Sequence, residues 1–227
     1  MNHELIPEEG KLILIHKELR WTSFDVVKKI RNLLKVKKVG HAGTLDPLAT
    51  GLLIVCAGKM TKKISQFMDQ EKEYTGKMII GKTTPSVDLE TEIDSEAKID
   101  HITEKKIYEA SKKFIGKLMQ KPPVYSALKK DGEPLYKKAR KGEQVEVAAR
   151  EVLSKEFEIT GIDLPEVQFR LVCSKGFYVR SLVRDFGESL EVGAHMTELT
   201  RTRIGEYSLE EAQTIDEFVE SIQIAQS

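Results

Sequence analysis

The order of the apolar segments constrains the fold of this chain more than any other feature of its sequence. Residues 11–15 and 52–57 are short, nearly continuous apolar runs of the kind that form buried strands. Segments rich in β-branched and aromatic residues predict further strands over 72–82, 144–159, 166–174 and 196–207. Strands therefore outnumber helices and do not alternate with them strictly. This order predicts an α+β protein with a mixed, mostly antiparallel sheet flanked by helices.

The helices are indicated by apolar residues at three- and four-residue spacing. Thr22 or Ser23 is a suitable N-cap for the first helix. The apolar face predicted for that helix consists of Phe24, Val27, Ile30, Leu33 and Leu34. Further helices are expected over 61–68, 103–115 and 176–190, with a short helix near the end of the chain. The acidic stretch after Pro85 is expected to be an exposed connection.

Composition and charge limit the class of protein. With 227 residues, 40% of them hydrophobic, the chain can bury a sizeable core, and we expect a single domain over 1–227. The net charge is zero, but residues 17–40 hold eight Lys or Arg against two acids, and residues 121–150 hold eight against four. This distribution is typical of a basic face that binds a polyanion. Solvated helix faces explain it equally well.

The location of the protein is indicated by its cysteines and its N-terminus. Cys56 and Cys173 lie in apolar runs and are expected to be buried free thiols, which fits a reducing compartment. No histidines are suitably spaced to complete a zinc site with them. The N-terminus is acidic and does not resemble a signal peptide, and the longest apolar run, residues 48–58, is too short to span a bilayer. We therefore expect a soluble cytoplasmic protein with no metal and no membrane association.

The segment from Gly40 to Gly51 is the strongest candidate for a functional loop. It contains three glycines, which allow close approach of the backbone to a ligand, and Asp46 directly before a proline. A carboxylate presented in this way can act as a base or a nucleophile. Two other interpretations stay open from spacing alone. Asp46 would serve only as a turn residue, or the loop would bind phosphate, although the Gly-Lys-Ser/Thr ending of a phosphate-binding loop is missing.

The sequence Gly-His-Ala-Gly-Thr-Leu-Asp-Pro-Leu-Ala-Thr-Gly-Leu-Leu, which begins at Gly40, resembles the signature of the TruB family of tRNA pseudouridine synthases. The resemblance extends over roughly residues 11–207. It includes Lys72-Glu-Tyr74, the segment 121–140, Cys173-Ser-Lys-Gly-Phe-Tyr-Val-Arg180 and Gly193-Ala-His195. It implies the pseudouridine-synthase fold, with an RNA-gripping insertion at about 121–150. The implied activity is the conversion of the T-loop uridine at position 55 of tRNA to pseudouridine, without any cofactor.

The same resemblance assigns roles to individual residues. Asp46 would be the essential catalyst, and Arg180 would pair with it. The target base would be flipped out of its stack and held. The residues implied in holding it are His41, Tyr74, Tyr178, Arg180 and Leu199. Lys17 is expected to support the site without being a catalyst. The phosphate contacts implied in the insertion are Lys129, Lys130, Lys137 and Arg140.

Three departures from the family pattern modify these expectations. Phe177 stands where threonine is usual, beside the expected pocket. Thr200 precedes Arg201 where two arginines are frequent, so one phosphate contact is expected to be lost or moved. The residues after Tyr207 are too few for the RNA-binding PUA domain that many members carry. Recognition is therefore expected to depend on the T-arm. The resemblance further implies a monomer that requires no protein partner.

Two other functions compete with tRNA isomerisation. An RNA-binding or RNA-folding module without catalysis would not need Asp46, Tyr74 and Arg180 together, so their joint presence favours an enzyme. A catalytic subunit of a guide-RNA particle is the third hypothesis. It is disfavoured because such proteins rely on the additional C-terminal domain.

Overall fold

The chain divides into two compact units in the computed structural model. The structure describes residues 7–126, 128–130, 133–135 and 147–224. The first unit consists of Met1–Thr75 and Leu199–Ser227, and the second of Gly76–Glu198.

Helices and strands follow one another without regular alternation, as the sequence predicts. The helices are α1 (Ser23–Leu34), α2 (Ile64–Met68), α3 (Glu104–Ser111), α4 (Val179–Ser189) and α5 (Ile215–Ile224). The strands before α3 are β1 (Lys11–Lys17), β2 (Val39–His41), β3 (Thr50–Ala57), β4 (Lys72–Ile80), β5 (Lys82–Thr83) and β6 (Ser95–Glu96). The strands after it are β7 (Gly116–Gln120), β8 (Lys129–Lys130), β9 (Glu133–Pro134), β10 (Arg150–Asp163), β11 (Glu166–Cys173), β12 (Ala194–Ile204) and β13 (Tyr207–Ser208).

Strand β3 lies at the centre of the first unit. It pairs with antiparallel β1 on one edge, and with antiparallel β2 and parallel β12 on the other. Successive side chains of a strand point to opposite faces of the sheet. Leu53, Val55 and Ala57 pack among residues of α1 and α5, whereas Leu52, Ile54 and Cys56 pack with Phe67 and Ile204. Both faces are thus covered, which explains why this strand is continuously apolar from Leu52 to Ala57.

Helix α1 begins where the sequence predicts, but its buried face differs from the prediction. The Thr22 side chain accepts a hydrogen bond from the amide of Asp25, and the Asp25 carboxylate accepts one from the amide of Thr22, so the two form a capping box. Val26, Ile30 and Leu34, at four-residue spacing, are buried. Phe24 lies outside this stripe and is 62% exposed, so its assignment to the apolar face was wrong.

The second unit contains strands in the order β4, β11, β10 and β7. β10 pairs antiparallel with both β11 and β7. Helix α4 packs on this sheet through an aromatic cluster whose neighbouring ring centroids lie 5.7–6.3 Å apart. The cluster consists of Phe114, Phe157, Phe169 and Phe186.

Several details of the second unit differ from the sequence-based expectations. The stretch after Pro85 is not exposed throughout, because Ser86, Val87 and Asp88 are buried. Helix α3 ends at Ser111, and Ile115, which was expected on its apolar side, is 49% exposed. Strand β10 begins at Arg150. Most of the predicted insertion over 121–150 lies outside the described residues.

Two further features are the state of the cysteines and the length and polarity of the helices. Cys56 and Cys173 are buried free thiols, which confirms that prediction. Among the described residues, every helix is too short or too polar to cross a lipid bilayer.

Gly187, in the last turn of α4, provides a test of the packing in the second unit. A glycine-to-alanine change inside a helix ordinarily stabilises it. A Cβ at Gly187, however, would lie 2.3 Å from the amide nitrogen of Ala194 and 2.3 Å from the carbonyl carbon of Gly193. We therefore expect Gly187→Ala to lower the free energy of unfolding by about 1–3 kcal/mol in urea titrations. Glu188→Ala, at an exposed position of the same helix, serves as the control and should be nearly neutral. A stabilised Gly187→Ala would show that the helix does not approach residues 193–194 this closely.

Candidate active site

The loop between β2 and β3, residues 42–49, carries Asp46 and is called the Asp46 loop below. It begins with a hydrogen bond from the amide of Ala42 to the carbonyl of Ile54, 2.9 Å. It ends with a turn in which the amide of Ala49 donates to the carbonyl of Asp46, 3.0 Å. Gly43 has a φ of +92°, in the left-handed region that favours glycine. The Asp46 side chain is half-buried, so it is accessible to a ligand.

The start of α1 holds one side of the Asp46 loop. The hydroxyl of Ser23, which is buried, accepts a hydrogen bond from the amide of Leu45 at 2.9 Å and lies 3.3 Å from the carbonyl of Leu45. The amide of Arg20 donates to the carbonyl of Pro47, 2.7 Å. The residues on both sides of Asp46 are therefore fixed through their main chain.

Lys17 lies under the Asp46 loop and is fully buried. Its ammonium donates hydrogen bonds to the carbonyls of Trp21 at 2.7 Å and Glu18 at 3.0 Å, with the Pro47 carbonyl at 3.5 Å. A buried cation needs such partners to offset its lost hydration. Lys17 thus contacts the main chain of the Asp46 loop, and its supporting, non-catalytic role stays a prediction.

Arg201, on β12, contacts the opposite side of the loop. Its side chain is 1% exposed, its Nε donates to the carbonyl of Leu52 at 2.8 Å, and its Nη2 donates to the carbonyl of Gly43 at 3.1 Å. From the sequence, residues 200 and 201 are expected only to contact phosphate, and the burial of Arg201 is not indicated. A buried guanidinium that is bonded to main-chain carbonyls is instead a structural support of the loop. Lys17 and Arg201 are called the loop cations below.

The loop cations set the electrostatics around Asp46. Burial lowers the pKa of Lys17 from its usual 10.5 to about 8, against the opposing effect of the Asp46 carboxylate, while Arg201 lowers it further. Burial and the positive charge of Arg201 also lower the pKa of His41. His41 is therefore neutral at neutral pH.

Tyr74 and Leu199 also belong to the first unit. Tyr74 lies on β4 and Leu199 on β12, and both side chains are buried. The hydroxyl of Thr50 lies 3.4 Å from the Leu199 carbonyl and 2.8 Å from the hydroxyl of Thr200, so β12 is tied to the end of the Asp46 loop. The first unit therefore holds four of the predicted site residues, which are His41, Asp46, Tyr74 and Leu199.

Tyr178 lies directly before α4 in the second unit. Its amide donates to Gln120 Oε1 at 2.7 Å, and Gln120 Nε2 donates back to its carbonyl at 2.9 Å. The guanidinium of Arg150 lies over the Tyr178 ring, 4.8 Å from its centroid, in a cation–π contact. The ring is half-buried and its position is fixed. Gln120, which is 2% exposed, was not singled out from the sequence.

Arg180, in the first turn of α4, is buried with Asp88. Its Nη1 lies 3.5 Å from Asp88 Oδ2, and each side chain is only 4% exposed. Nη1 also donates to the carbonyl of Ser86 at 3.1 Å, and Nη2 donates to the carbonyl of Tyr125 at 2.8 Å. The sequence placed Asp88 in an exposed acidic stretch. The structure shows that it forms an ion pair with Arg180.

The structure describes only some of the remaining predicted site residues. Asp46 lies in the first unit and Arg180 in the second, and their pairing stays a prediction. Lys129 and Lys130 form β8, of which only the main chain is described. Lys137 and Arg140 lie outside the described residues. Within the described ranges, no group of three or more His, Cys, Asp or Glu side chains is placed to hold a metal ion.

Two family models together match most of the chain. Residues 31–179 match the N-terminal domain of the TruB family of pseudouridylate synthases. Residues 180–227 match a domain described as the C-terminal domain of tRNA pseudouridylate synthase B.

Curated relatives have the same extent as this chain. A protein of Flavobacterium johnsoniae named tRNA pseudouridine synthase B is 54% identical over 95% of this chain and 97% of its own length. A protein of the same name from Phocaeicola vulgatus is 50% identical over 94% of this chain and 93% of its own length.

Solved structures support the same grouping. The chain is similar over its whole length to a chain in the crystal structure of a Cbf5–Nop10–Gar1 complex, with a TM-score of 0.78 and 29% identity. The similarity to an archaeal box H/ACA Nop10–Cbf5 complex has a TM-score of 0.74 and 28% identity. In both cases the chain spans 58% of the length of the solved chain.

Fold and relatives define an isomerase of the pseudouridine-synthase class. The chain belongs to the TruB family of pseudouridylate synthases. The resemblance and the α+β fold predicted from the sequence are thereby confirmed.

The buried ammonium of Lys17 predicts a specific dependence of stability on pH. Below pH 8 the folded and unfolded states both carry the proton on Lys17. Between pH 8 and 10.5 only the unfolded state retains it, so the free energy of unfolding rises with pH. Relative to Lys17→Met, wild type should gain about 3 kcal/mol across this interval in denaturant titrations. A constant difference between the two proteins would show that burial does not lower the pKa of Lys17.

Proposed function

We propose that this protein converts the uridine at position 55, in the T-loop of tRNA, to pseudouridine, with Asp46 as the essential catalyst. Family membership and the names of the full-length relatives support the reaction and its substrate class. The observation that carries the role of Asp46 is its half-buried carboxylate on a loop whose main chain is bonded on both sides. We further propose a cytoplasmic location, which the two buried free thiols, Cys56 and Cys173, support.

In the proposed reaction, the base leaves its stack and enters the site before any bond is broken. The bond between N1 of uracil and C1′ of the ribose breaks, the uracil turns, and C5 bonds to C1′. The hydrogen at C5 is then lost as a proton and N1 takes up a proton, so the product is an isomer of the substrate and no oxidant, reductant or cofactor is consumed. Asp46 acts on the ribose, either by attack at C1′ or by removing a sugar proton.

The other predicted site residues are assigned to holding the base. Tyr74 stacks on the flipped uracil, and Tyr178 and Leu199 line the uracil pocket. His41, neutral because of burial and Arg201, occupies the space that the flipped base vacates. The Asp88 carboxylate lies beside the Arg180 guanidinium and supports its orientation. In this proposal Arg180 pairs with Asp46 and keeps it ionised.

The protein is proposed to act alone on the T-arm. We assign residues 1–227 to one pseudouridine-synthase domain that works as a monomer without a protein partner. The insertion near 121–150 holds RNA through Lys129, Lys130, Lys137 and Arg140. The module without catalysis remains the alternative, and the guide-RNA particle is disfavoured because the relatives of matching length are named tRNA pseudouridine synthase B.

Release of tritium from tRNA labelled at C5 of uracil tests the catalytic role. We expect wild type to release tritium and Asp46→Asn to release none above background, because an amide can neither attack the sugar nor take a proton from it. Asp46→Asn should retain binding to the same tRNA in filter-binding assays.

Asp100→Asn, a change at an exposed aspartate, is the matched control and should release tritium at the wild-type rate. Wild-type protein that binds tRNA but releases no tritium would favour the non-catalytic module. Full activity in Asp46→Asn would exclude Asp46 as the catalyst.

A further inference from the structure

A shallow groove on the surface of the first unit lies next to the Asp46 loop. Its volume is about 410 Å³, and it is called the Arg20 groove below. It is lined by Arg20, Trp21, Asp25, Lys28, Lys29 and Asn32. The three cations are exposed, whereas the loop cations are buried. The Arg20 groove therefore presents positive charge to solvent.

The charge of the groove fits a polyanion. Asp25 is its only acidic lining residue, and that carboxylate already accepts a hydrogen bond from the amide of Thr22 at 3.0 Å. The three cations thus outnumber the one acid, which is occupied in capping α1. Phe24, one turn before Lys28 on the same helix, is 62% exposed. Exposed cations beside an exposed aromatic ring are typical of surfaces that bind RNA.

The backbone of Arg20 is the second observation that points to a function. Arg20 has a φ of +68°, a left-handed conformation that is uncommon in residues other than glycine. Such conformations persist where the surrounding structure enforces them, and they cluster at functional sites. Here the enforcing contact is the 2.7 Å hydrogen bond from the Arg20 amide to the carbonyl of Pro47. A glycine would satisfy this geometry without strain, so the long cationic side chain is not needed for the turn.

The position of the groove relates it to the proposed reaction. Pro47 directly follows Asp46, so Arg20 is bonded to the same turn that presents the carboxylate. A nucleotide held at Asp46 carries its flanking phosphates with it, and these must lie on the surface around the Asp46 loop. Among the described residues, the Arg20 groove is an exposed cationic surface that is hydrogen-bonded to the Asp46 loop through the amide of Arg20.

We propose that the Arg20 groove binds the phosphate backbone of the substrate RNA next to the isomerised nucleotide. Arg20 contacts the phosphate nearest to Asp46, and Lys28 and Lys29 contact phosphates further along the strand. These contacts hold the RNA without reading its sequence. The inference rests on the proposed function, because it needs an RNA whose nucleotide occupies the site at Asp46.

The test compares three proteins, which are wild type, Arg20→Gly, and a double variant that carries Lys28→Gln and Lys29→Gln. The affinity of each for tRNA is measured from 50 to 200 mM salt. Each phosphate contact contributes about 0.9 to the slope of log affinity against log salt. The slope should therefore become shallower by about one in Arg20→Gly and by about two in the double variant. At 100 mM salt, the dissociation constant should rise about fivefold in Arg20→Gly and about tenfold or more in the double variant.

The Arg20→Gly change separates binding from folding. Glycine adopts a φ of +68° without strain, so the melting temperature should not fall while the affinity for tRNA does. Lys28 and Lys29 are exposed, and their replacement provides a test that does not depend on the turn. Lys112→Gln with Lys113→Gln removes an equivalent adjacent pair of exposed lysines from the second unit and should change neither the affinity nor the salt slope.

Three outcomes overturn the inference. Wild-type affinity and salt slope in Arg20→Gly and in the Lys28/Lys29 variant would show that the groove does not contact RNA. An equal loss in the Lys112/Lys113 control would assign the effect to overall charge. Wild type that neither binds tRNA nor releases tritium would overturn the proposed function as well, whereas an active wild type with unaffected variants would overturn this inference alone.

Discussion

Hydrogen bonds from two buried cations to main-chain carbonyls hold the part of the first unit on which the rest of the site depends. Lys17 contacts the carbonyl of Pro47 from one side, and Arg201 contacts that of Gly43 from the other. Burying two cations is costly unless their donors are satisfied, and unpaired carbonyls in the same place would be costly too. Here the buried cations supply the donors that the carbonyls need, and the carbonyls supply the acceptors that the cations need. The result is a loop that presents a half-buried carboxylate from a fixed main chain.

The second unit also contains a buried cation that donates hydrogen bonds to main-chain carbonyls. Arg180 is buried, donates to the carbonyls of Ser86 and Tyr125, and forms an ion pair with Asp88. Breaking a buried pair of this kind leaves an uncompensated charge and typically costs about 3–5 kcal/mol. The guanidinium groups of Arg201 and Arg180 therefore fix irregular main chain next to residues that are proposed to touch the substrate. Such support by neighbouring groups is what a preorganised active site requires.

The surface around the proposed site is arranged differently from its interior. Arg20, Lys28 and Lys29 are exposed, and the only acid lining their groove caps a helix. Interior cations thus support the main chain, while exterior cations are free to meet phosphates. Net charge does not reveal this division, because it is zero for the whole chain.

Local patterns in the sequence predicted the parts of the fold that local physics determines. The apolar run of β3 and the capping box of α1 follow from residues that are neighbours in the chain. The glycine-rich motif identified the Asp46 loop because its residues are contiguous. The burial of Arg201 and Asp88 was missed because their partners lie far away in sequence, at Gly43 and at Arg180. Phe24 was misplaced because the buried stripe runs through Val26, Ile30 and Leu34, and Phe24 lies two residues, or about 200°, before Val26 on the helix.

The central claim is that the buried guanidinium of Arg201 holds Asp46 in a reactive position. Single-turnover rates at saturating tRNA, measured beside binding for Arg201→Gln and Arg201→Lys, test it most directly. Displacement of a reactive group by about 1 Å costs about 100-fold in rate. The account predicts a loss of that order in Arg201→Gln, with nearly unchanged affinity for tRNA and partial recovery in Arg201→Lys. A folded Arg201→Gln protein that isomerises tRNA at the wild-type rate would contradict it.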